Sequence, residues 1–351
     1  MQSTNTAKHR SAIQSREHPD CRMTSFREGA QTIYGLLLFV GMAIVYFTET
    51  VLLTLTPRRY RAKSIKGEIA LVTGGASGIG RLIAIKLAKL GAHVIIWDIN
   101  KSGLAEIAEE IKRAGGKCCS YYCDITNKEE VYRTAKAVQI EVGNVSLLVN
   151  NAGYVYGKTF MELPDHEIER TFKVNVLSHY WITKSFLKDM MKNNNGHIVT
   201  IASVAGLMGI YNCTDYSATK SAAIGCHESL FTELKIHGYD GIHMTLVCPY
   251  LINTGMFHGV KPRFMPMLEP EYVAEEVVAG LLTNEMLIIL PKILRFLLPF
   301  KCLLPAKMCW ALMYHILKGP QTMMTLKCRN SMETTNDISE TNEAIDALKL
   351  H

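Results

Sequence analysis

A glycine-rich loop between an apolar strand pattern and a helical pattern constrains the fold of this chain more than any other feature. The strand pattern Ile69–Val72 leads into the loop, and the helical pattern continues to Leu90. The loop reads Thr73–Gly80 and carries Gly74, Gly78 and Gly80. Glycines permit a tight turn and a close approach of the backbone to a phosphate group, whose charge meets the helix N-terminus. The loop therefore predicts a strand–turn–helix unit that binds a dinucleotide.

Further apolar strands alternate with helices after this loop. The strand patterns are His93–Trp97, Cys119–Cys123, Leu147–Val149, Ile198–Ala202 and Met244–Val247. This alternation predicts an α/β fold with a doubly wound parallel sheet. Ligands of such sheets bind beyond the carboxyl ends of the strands. Five residues stand at or just past such ends, namely Asp98, Asp124, Asn150, Ser203 and Pro249.

Asp98 distinguishes between NAD and NADP as the predicted cofactor. It follows Gly78 by 20 residues and stands at the end of the second predicted strand. A carboxylate at this position accepts hydrogen bonds from the adenosine ribose hydroxyls and repels a 2′-phosphate. Ser77, rather than a basic residue, precedes Gly78, so no obvious cation would neutralise that phosphate. The sequence therefore predicts NAD rather than NADP as the cofactor.

Tyr216 and Lys220 form a candidate proton-transfer pair. Residues four apart lie on one face of a helix, one turn from each other. A free tyrosine titrates near ~10, and a fixed ammonium nearby favours the phenolate and lowers that pKa. Taken alone, such a pair also fits a solvated helix face. Ser203, which precedes Tyr216 by 13 residues and follows the fifth predicted strand, adds a hydroxyl that can meet the tyrosine.

Taken together, Thr73–Gly80, Asn150–Gly153, Asn175, Ser203 and the Tyr216/Lys220 pair resemble the short-chain dehydrogenase/reductase family over roughly residues 67–290. The resemblance implies a Rossmann fold and hydride transfer between an alcohol and NAD. It implies that Tyr216 is the general acid/base and that Ser203 binds the substrate oxygen. It further implies that Lys220 lowers the Tyr216 pKa and holds the nicotinamide ribose, and that Asn175 positions a water linking Lys220 to solvent.

The same resemblance assigns the cofactor site. Asp124 and Ile125 would frame the adenine, and Thr254 would touch the nicotinamide carboxamide. One departure is that Pro249 precedes Tyr250, where the family often has glycine, and we expect Tyr250 to reshape the wall near the nicotinamide. The residues expected to line the dinucleotide are Gly74, Ser77, Gly78, Ile79, Gly80, Asp98, Asp124, Ile125, Asn151, Ala152, Gly153, Tyr216, Lys220, Pro249 and Thr254.

A closer resemblance is to a membrane-bound branch of the family that contains retinol dehydrogenases and 17β-hydroxysteroid dehydrogenases. It is carried by Gly67–Ile69, Trp97–Asn100, Val145–Gly153, Gly196–Thr200 and Cys248–Tyr250. It implies a lipophilic alcohol as substrate, all-trans-retinol oxidised to retinal first and a hydroxysteroid second, and it suggests a homodimer. A non-catalytic membrane or lipid-droplet scaffold is the rival from another class, and the complete set of catalytic residues counts against it.

The segment Ile33–Leu55 is a candidate membrane anchor. Its 23 residues contain one charge, Glu49. At 1.5 Å per residue it extends about 34 Å, enough for a hydrocarbon core of ~30 Å. We expect a transmembrane helix or a hairpin that enters one leaflet. A cleaved signal peptide fits the polar residues before it less well, and a buried core helix fits the absence of an amphipathic face less well.

Basic residues after the anchor predict its orientation. Five Lys or Arg residues follow Pro57 with no acid before Glu68, namely Arg58, Arg59, Arg61, Lys63 and Lys66. Because positive charge is retained on the cytosolic side, we expect the catalytic domain in the cytosol. With the resemblance above, the expected location is the endoplasmic reticulum membrane or a lipid droplet. The net charge of +6 is small and spread out, so nucleic acid is not indicated as a partner.

The expected organisation also includes a polar arm at residues 1–32 and three further stretches. The loop at 251–267 holds Met256, Phe257, Phe264, Met265 and Met267, which suit an irregular apolar substrate pocket or a packed surface loop. Residues 291–332 are apolar and basic, which predicts a membrane-interfacial element or a dimer surface. Residues 333–351 are a polar tail. The ten cysteines have no metal-ligand spacing, so we expect reduced thiols and no metal site.

Overall fold

The computed structural model describes residues 19–326. Residues 1–18 of the predicted polar arm, 327–332 of the predicted interfacial segment and the predicted tail 333–351 lie outside the described residues. The chain divides into two compact units between Arg61 and Ala62. The second unit begins before the predicted start at Gly67. The reason is that Lys63 contacts two elements of this unit, through its N–H to the Leu282 carbonyl at 2.8 Å and its Nζ to His197 Nδ1 at 2.9 Å.

The first unit is dominated by one helix, α1 (Pro19–Leu55). Residues 27–53 of this helix are long and apolar enough to cross a membrane, as judged by length and composition, and their side chains are not buried in the protein. The helix is continuous, so the hairpin alternative lacks the turn it needs. The helix extends into the predicted polar arm, over residues 19–32. The helix is consistent with membrane association.

The second unit is built on a parallel sheet of seven strands in the order β3-β2-β1-β4-β5-β6-β7. The strands are β1 (Ile69–Thr73), β2 (His93–Asp98), β3 (Lys117–Tyr122), β4 (Leu147–Asn150), β5 (Gly196–Ile201), β6 (Ile242–Pro249) and β7 (Leu287–Leu290). The order reverses direction between β1 and β4, as in a doubly wound sheet, and leaves a crevice there at the carboxyl edge.

Helices cover both faces of the sheet. They are α2 (Gly78–Lys89), α3 (Lys101–Arg113), α4 (Lys128–Glu141), α5 (Asp165–Phe172), α6 (Ser178–Asn193), α7 (Val204–Leu207), α8 (Thr214–Ile236) and α9 (Pro270–Thr283). Alternate strand residues point to opposite faces. Val72 of β1 packs in the cluster that includes α2 and α9, and Leu71 packs in the cluster that includes α4 and α6. Because both faces are buried, the strands read as continuous apolar runs.

The predicted strands are confirmed, with one shift and one omission. The third strand lies at Lys117–Tyr122 rather than 119–123, because its pairing with β2 begins at His93↔Lys117. Strand β7 was not predicted. Its four residues merge in sequence with the apolar segment that follows, and only pairing with β6 defines them as a strand.

The segment after β7 forms a series of short helices. These are α10 (Leu294–Leu297), α11 (Phe300–Leu303), α12 (Ala306–Ala311), a π-helical turn (Leu312–Ile316) and α13 (Gly319–Met323). Pro299 and Pro305 stand directly before α11 and α12, where proline is tolerated. Because proline interrupts a helix, the segment is not one straight helix.

Replacing the buried side chain of Phe186 tests the packing of the core. It is fully buried on α6, and its ring lies 5.9 Å from that of Trp97. We expect Phe186→Ala to lower the free energy of unfolding by about 3–5 kcal/mol, because a cavity replaces the ring. Phe160 is 69% exposed, so the matched Phe160→Ala change should alter that free energy by about 0.5 kcal/mol or less. Denaturant titration of the full chain in detergent, followed by near-UV circular dichroism, measures both. Equal losses would contradict this packing.

Candidate active site

The candidate site lies along the carboxyl edge of the sheet, where five strands end at or lead into residues expected to bind the cofactor or substrate. Strand β1 leads into the glycine loop, β2 ends at Asp98, β4 leads to Asn151, β5 leads to Ser203 and β6 ends at Pro249. Because parallel strands present their carboxyl ends at one edge, residues separated by up to 175 positions come together.

The glycine loop requires glycine for two different reasons. Gly74 and Gly78 have φ angles of +63° and +54°, a region that glycine enters at no steric cost. Gly80 is needed for space, because a Cβ there would clash with the Gly74 carbonyl oxygen and with the Asn151 side-chain amide. Ser77 and Gly78 remain exposed at the N-terminus of α2, whose N–H groups favour an anion. The loop thus presents backbone donors at an open surface.

Thr73 and Asn151 fix the loop against the end of β4. The Thr73 hydroxyl oxygen accepts from the N–H groups of Asn151 and Ala152 at 3.0 and 3.1 Å. The Asn151 side chain donates to the carbonyl oxygens of Thr73 at 2.8 Å and Gly74 at 3.2 Å. A Cβ on Gly74 would lie 2.9 Å from the Ala152 Cα, so the two segments are in close contact. Sequence reasoning did not assign this role to Thr73.

Asp98 is held rigidly at the end of β2. Its Oδ2 accepts from the Ala76 N–H at 3.0 Å, and its Oδ1 accepts from the Asn100 N–H at 2.9 Å. The carboxylate is half-buried, so it can still accept hydrogen bonds from a ligand beside the glycine loop. A negative charge is therefore fixed one strand away from the loop that favours phosphate.

The residues expected to contact the adenine and carboxamide lie on the same edge. Asp124 follows β3, and its Oδ1 accepts from the N–H and hydroxyl of Thr126 at 2.9 and 2.8 Å. Ile125 is buried against the sheet. Thr254 lies beside the glycine loop, since a Cβ on Gly78 would be 3.7 Å from its methyl carbon. Asp124 thus follows the carboxyl end of β3, and Thr254 approaches the glycine loop.

Tyr216 and Lys220 lie on α8 and are buried, with 4% and 2% of their surface exposed. The helix therefore does not present them to solvent, which removes the alternative of a solvated face. Lys220 Nζ lies 5.7 Å from the Tyr216 ring centre and donates to the Ile201 carbonyl oxygen at 2.8 Å. Ser203 Oγ donates to the Pro249 carbonyl oxygen at 3.4 Å, and the Ser203 side chain lies close enough to Tyr216 to lower the pKa of the phenol. Ser203, Tyr216 and Lys220 thus form one cluster.

Asn175 occupies a π-helical turn (Lys173–Leu177) between α5 and α6. Its Oδ1 accepts from the Tyr154 N–H at 2.8 Å, and its Nδ2 donates to the Tyr154 carbonyl oxygen and to the Thr219 hydroxyl. A Cβ at Gly153 would lie 3.7 Å from both Asn175 Oδ1 and Lys220 Nζ, which brings these groups to the same small space. The π-turn places the amide there, as such turns often do at functional sites.

The comparisons with known proteins agree with this geometry. The sequence profile described as short chain dehydrogenase matches residues 68–263. The chain belongs to the short chain dehydrogenase family.

Human epidermal retinol dehydrogenase 2 is 43% identical over 79% of this chain and 90% of its own length. Human estradiol 17-beta-dehydrogenase 11 is 42% identical over 78% of this chain and 91% of its own length. A short chain dehydrogenase/reductase from Burkholderia phymatum, solved in complex with NAD, is 25% identical with a TM-score of 0.63 and covers 68% of this chain and 94% of its own. The chain is therefore an oxidoreductase of this family.

NAD fits the site of this dehydrogenase. The Gly78 end of α2 offers backbone donors to a pyrophosphate, and the Asp98 carboxylate offers acceptors to ribose hydroxyls. The tight contacts at Gly74 and Gly80 leave the loop surface free of side chains, so a dinucleotide can approach the backbone. When bound, NAD supplies a nicotinamide ring that accepts a hydride.

Burial controls the titration of the catalytic pair. It raises the pKa of Tyr216 above its ordinary value, and the Ser203 hydrogen bond only partly offsets this rise. Burial also lowers the pKa of Lys220 to about 8. The Lys220 ammonium is directed at the Ile201 carbonyl oxygen and is not among the causes of the Tyr216 shift. That Lys220 lowers the Tyr216 pKa stays a prediction.

Thr219 is a positioning residue that sequence reasoning missed. Its hydroxyl donates to the Tyr216 carbonyl oxygen at 2.7 Å and accepts from Asn175 Nδ2 at 3.0 Å. It thereby couples the helix that carries the tyrosine to the asparagine. Its position inside the stretch from Tyr216 to Lys220 was visible in the sequence, but the orientation of its hydroxyl was not.

We expect Thr219→Val to lower kcat about 3- to 10-fold with little change in KM, because one buried hydrogen bond is worth about 0.5–1.5 kcal/mol. Thr232 is a matched control, since its hydroxyl donates to the Glu228 carbonyl oxygen on the exposed part of the same helix. Steady-state kinetics of the full chain in membranes measures both variants. A Thr219→Val enzyme that matches Thr232→Val in kcat would contradict the assignment.

Proposed function

We propose that this dehydrogenase oxidises a lipophilic alcohol with NAD, and that all-trans-retinol, converted to retinal, is the first candidate. The observation that carries the proposal is the environment of Tyr216, which lies in an apolar cluster rather than at a polar surface. The buried members of that cluster are Val155, Ala205, Cys213, Leu251, Phe257, Val260, Met323 and Leu326. A pocket lined in this way favours an apolar substrate with one hydroxyl group.

The loop at 251–267 supplies part of this wall. Phe257 is buried and meets the Tyr216 ring edge-on, with 5.7 Å between ring centres. Leu251 and Val260 are buried in the same cluster, and Met267 packs against it. Phe264 is exposed and does not belong to the cluster. Because Phe257 lies against the proposed proton acceptor, these contacts support our proposal that the loop forms part of the substrate pocket.

The proposed reaction is balanced by one proton acceptor and one hydride acceptor. The hydroxyl proton of the alcohol passes to the phenolate oxygen of Tyr216, and bound NAD would accept the carbinol hydrogen as a hydride. Ser203 donates a hydrogen bond to the alcohol oxygen and aligns it with Tyr216. Lys220 would hold the ribose of bound NAD, and Asn175 would order a water between Lys220 and solvent. The Tyr216 pKa, raised by burial, makes nearby positive charge necessary for this proton transfer.

A hydroxysteroid is the second candidate substrate. Human estradiol 17-beta-dehydrogenase 11 and human epidermal retinol dehydrogenase 2 are almost equally similar to this chain, at 42% and 43% identity. An apolar wall accepts either a flexible polyene or a rigid ring system. A non-catalytic scaffold is disfavoured, because Ser203, Tyr216 and Lys220 meet in one buried cluster that a scaffold would not need.

The proposed location is the endoplasmic reticulum membrane or a lipid droplet, with the catalytic unit in the cytosol and a homodimer as a candidate assembly. The apolar helix α1 supports a membrane anchor. The five basic residues between Pro57 and Glu68 support the cytosolic orientation.

The substrate is tested by cofactor reduction in microsomes that express the full chain, with retinol and estradiol at matched concentrations. We expect NADH formation with both alcohols to require the chain, and kcat/KM to be higher with retinol. Membranes with Ser203→Ala serve as the control for background enzymes. A higher kcat/KM with estradiol would replace retinol by the second candidate, and no turnover of either would contradict the proposal.

Replacing Asp98 tests the preference for NAD over NADP. We expect Asp98→Asn to lower the ratio of kcat/KM for NAD to that for NADP about 10- to 100-fold, because it removes a charged acceptor worth about 1.5–3 kcal/mol. Asp240→Asn is the matched control, since Asp240 is an exposed surface carboxylate paired with Lys235. The same microsomal assay measures the ratio. A wild-type preference for NADP, or an unchanged ratio in Asp98→Asn, would overturn the assignment.

A further inference from the structure

Residues 293–318, which we call the C-terminal helical segment, expose an unusual number of large apolar side chains. The fraction exposed is 70% for Phe296, 75% for Leu303 and 59% for Trp310. The other exposed apolar side chains of this segment are Ile293, Leu297, Phe300, Met308, Tyr314 and Ile316. Soluble surfaces rarely concentrate such residues without a partner, so the segment requires something apolar to cover it.

The charge of the segment identifies the kind of partner. From Met286 to Met332 the sequence contains seven Lys or Arg residues and no Asp or Glu. Within residues 19–326, Arg295, Lys307 and Lys318 form no ion pair with an acidic side chain. Basic side chains among apolar ones match a surface of anionic lipid, to which each base near the headgroups contributes about 1 kcal/mol.

We propose that the C-terminal helical segment binds an anionic lipid surface, as a second membrane contact besides α1. Trp310 and Tyr314 stack at 5.3 Å between ring centres and suit the headgroup region, where these two residue types concentrate. Lysine and arginine stems can lie along apolar surface while their charges reach the phosphates. A second copy of this chain is a poorer partner, because a two-fold contact would bring two all-basic faces together.

Two contacts attach the segment to the walls of the active site, one within the segment and one just beyond its C-terminal end. Lys301 Nζ donates to the carbonyl oxygen of Leu207, on the short helix that follows Ser203, at 2.6 Å. Beyond the segment, Met323 and Leu326 are buried in the cluster around Tyr216. Binding to lipid would therefore place this wall of the pocket at the bilayer. If the proposed function holds, an alcohol dissolved in the membrane reaches Tyr216 without crossing water.

The three tryptophans of the chain provide a direct test. Trp97 is fully buried and Trp181 is half-buried, whereas Trp310 is exposed in the segment, and α1 contains no tryptophan. The full chain is reconstituted in nanodiscs with anionic phosphatidylserine and brominated phosphatidylcholine, and tryptophan emission is compared with unbrominated nanodiscs. We expect brominated lipid to quench wild-type emission, and Trp310→Phe to lose that quenching. This readout does not depend on turnover, so it remains valid if the proposed function fails.

Charge reversal tests the lipid chemistry. We expect Lys307→Glu to reduce the brominated-lipid quenching in anionic nanodiscs, while Lys136→Glu, on the exposed face of α4, leaves it unchanged. Equal quenching in wild type and Trp310→Phe would overturn the proposal. The proposal would also be overturned if neither brominated lipid nor aqueous acrylamide quenched the emission of Trp310. This result would indicate that a second protein copy covers the segment.

Discussion

The hydrogen bond from Lys220 Nζ to the Ile201 carbonyl oxygen is the interaction on which the arrangement of the active site depends. It joins α8 to the carboxyl end of β5, two residues before Ser203. Because Tyr216 lies one helical turn before Lys220, the same bond brings the tyrosine to that serine. A buried ammonium without an acceptor would carry a large desolvation cost, and the carbonyl oxygen at the strand end compensates for part of it.

The burial of Tyr216 and Lys220 has two opposing effects on the site. It lowers the pKa of Lys220 to about 8 and raises that of Tyr216, so the protein favours a neutral phenol at the position of the proposed proton acceptor. The apolar cluster that disfavours the phenolate also provides the surface that a lipophilic alcohol would bind. Affinity for an apolar substrate therefore requires an apolar environment around Tyr216, whereas proton transfer at neutral pH requires an environment that stabilises the phenolate. In the proposed mechanism, the Lys220 charge and the Ser203 hydroxyl are the groups that would favour the phenolate in this apolar environment.

Much of the fold could be predicted from sequence, because glycine spacing and the alternation of apolar strands with helices are local signals. The glycine loop, Asp98 and the edge of the sheet follow from such patterns. The start of α1 at Pro19, the strand Leu287–Leu290 and the role of Thr219 could not be predicted in this way. They depend on helix continuation, on pairing with a distant strand and on the direction of one hydroxyl. The direction of the Tyr216 pKa shift depends on burial by residues as distant as Met323, which no local pattern reveals.

The most direct test of the account is the turnover of Tyr216→Phe in the full chain. The change removes one oxygen from a buried ring, so packing is largely kept, and Tyr239→Phe is a matched control outside the cluster. We predict that kcat with the preferred alcohol falls by about 10²- to 10⁴-fold, the usual contribution of a general base, while Tyr239→Phe stays near wild type. Turnover of Tyr216→Phe equal to that of the control would contradict the assignment of Tyr216 as the proton acceptor.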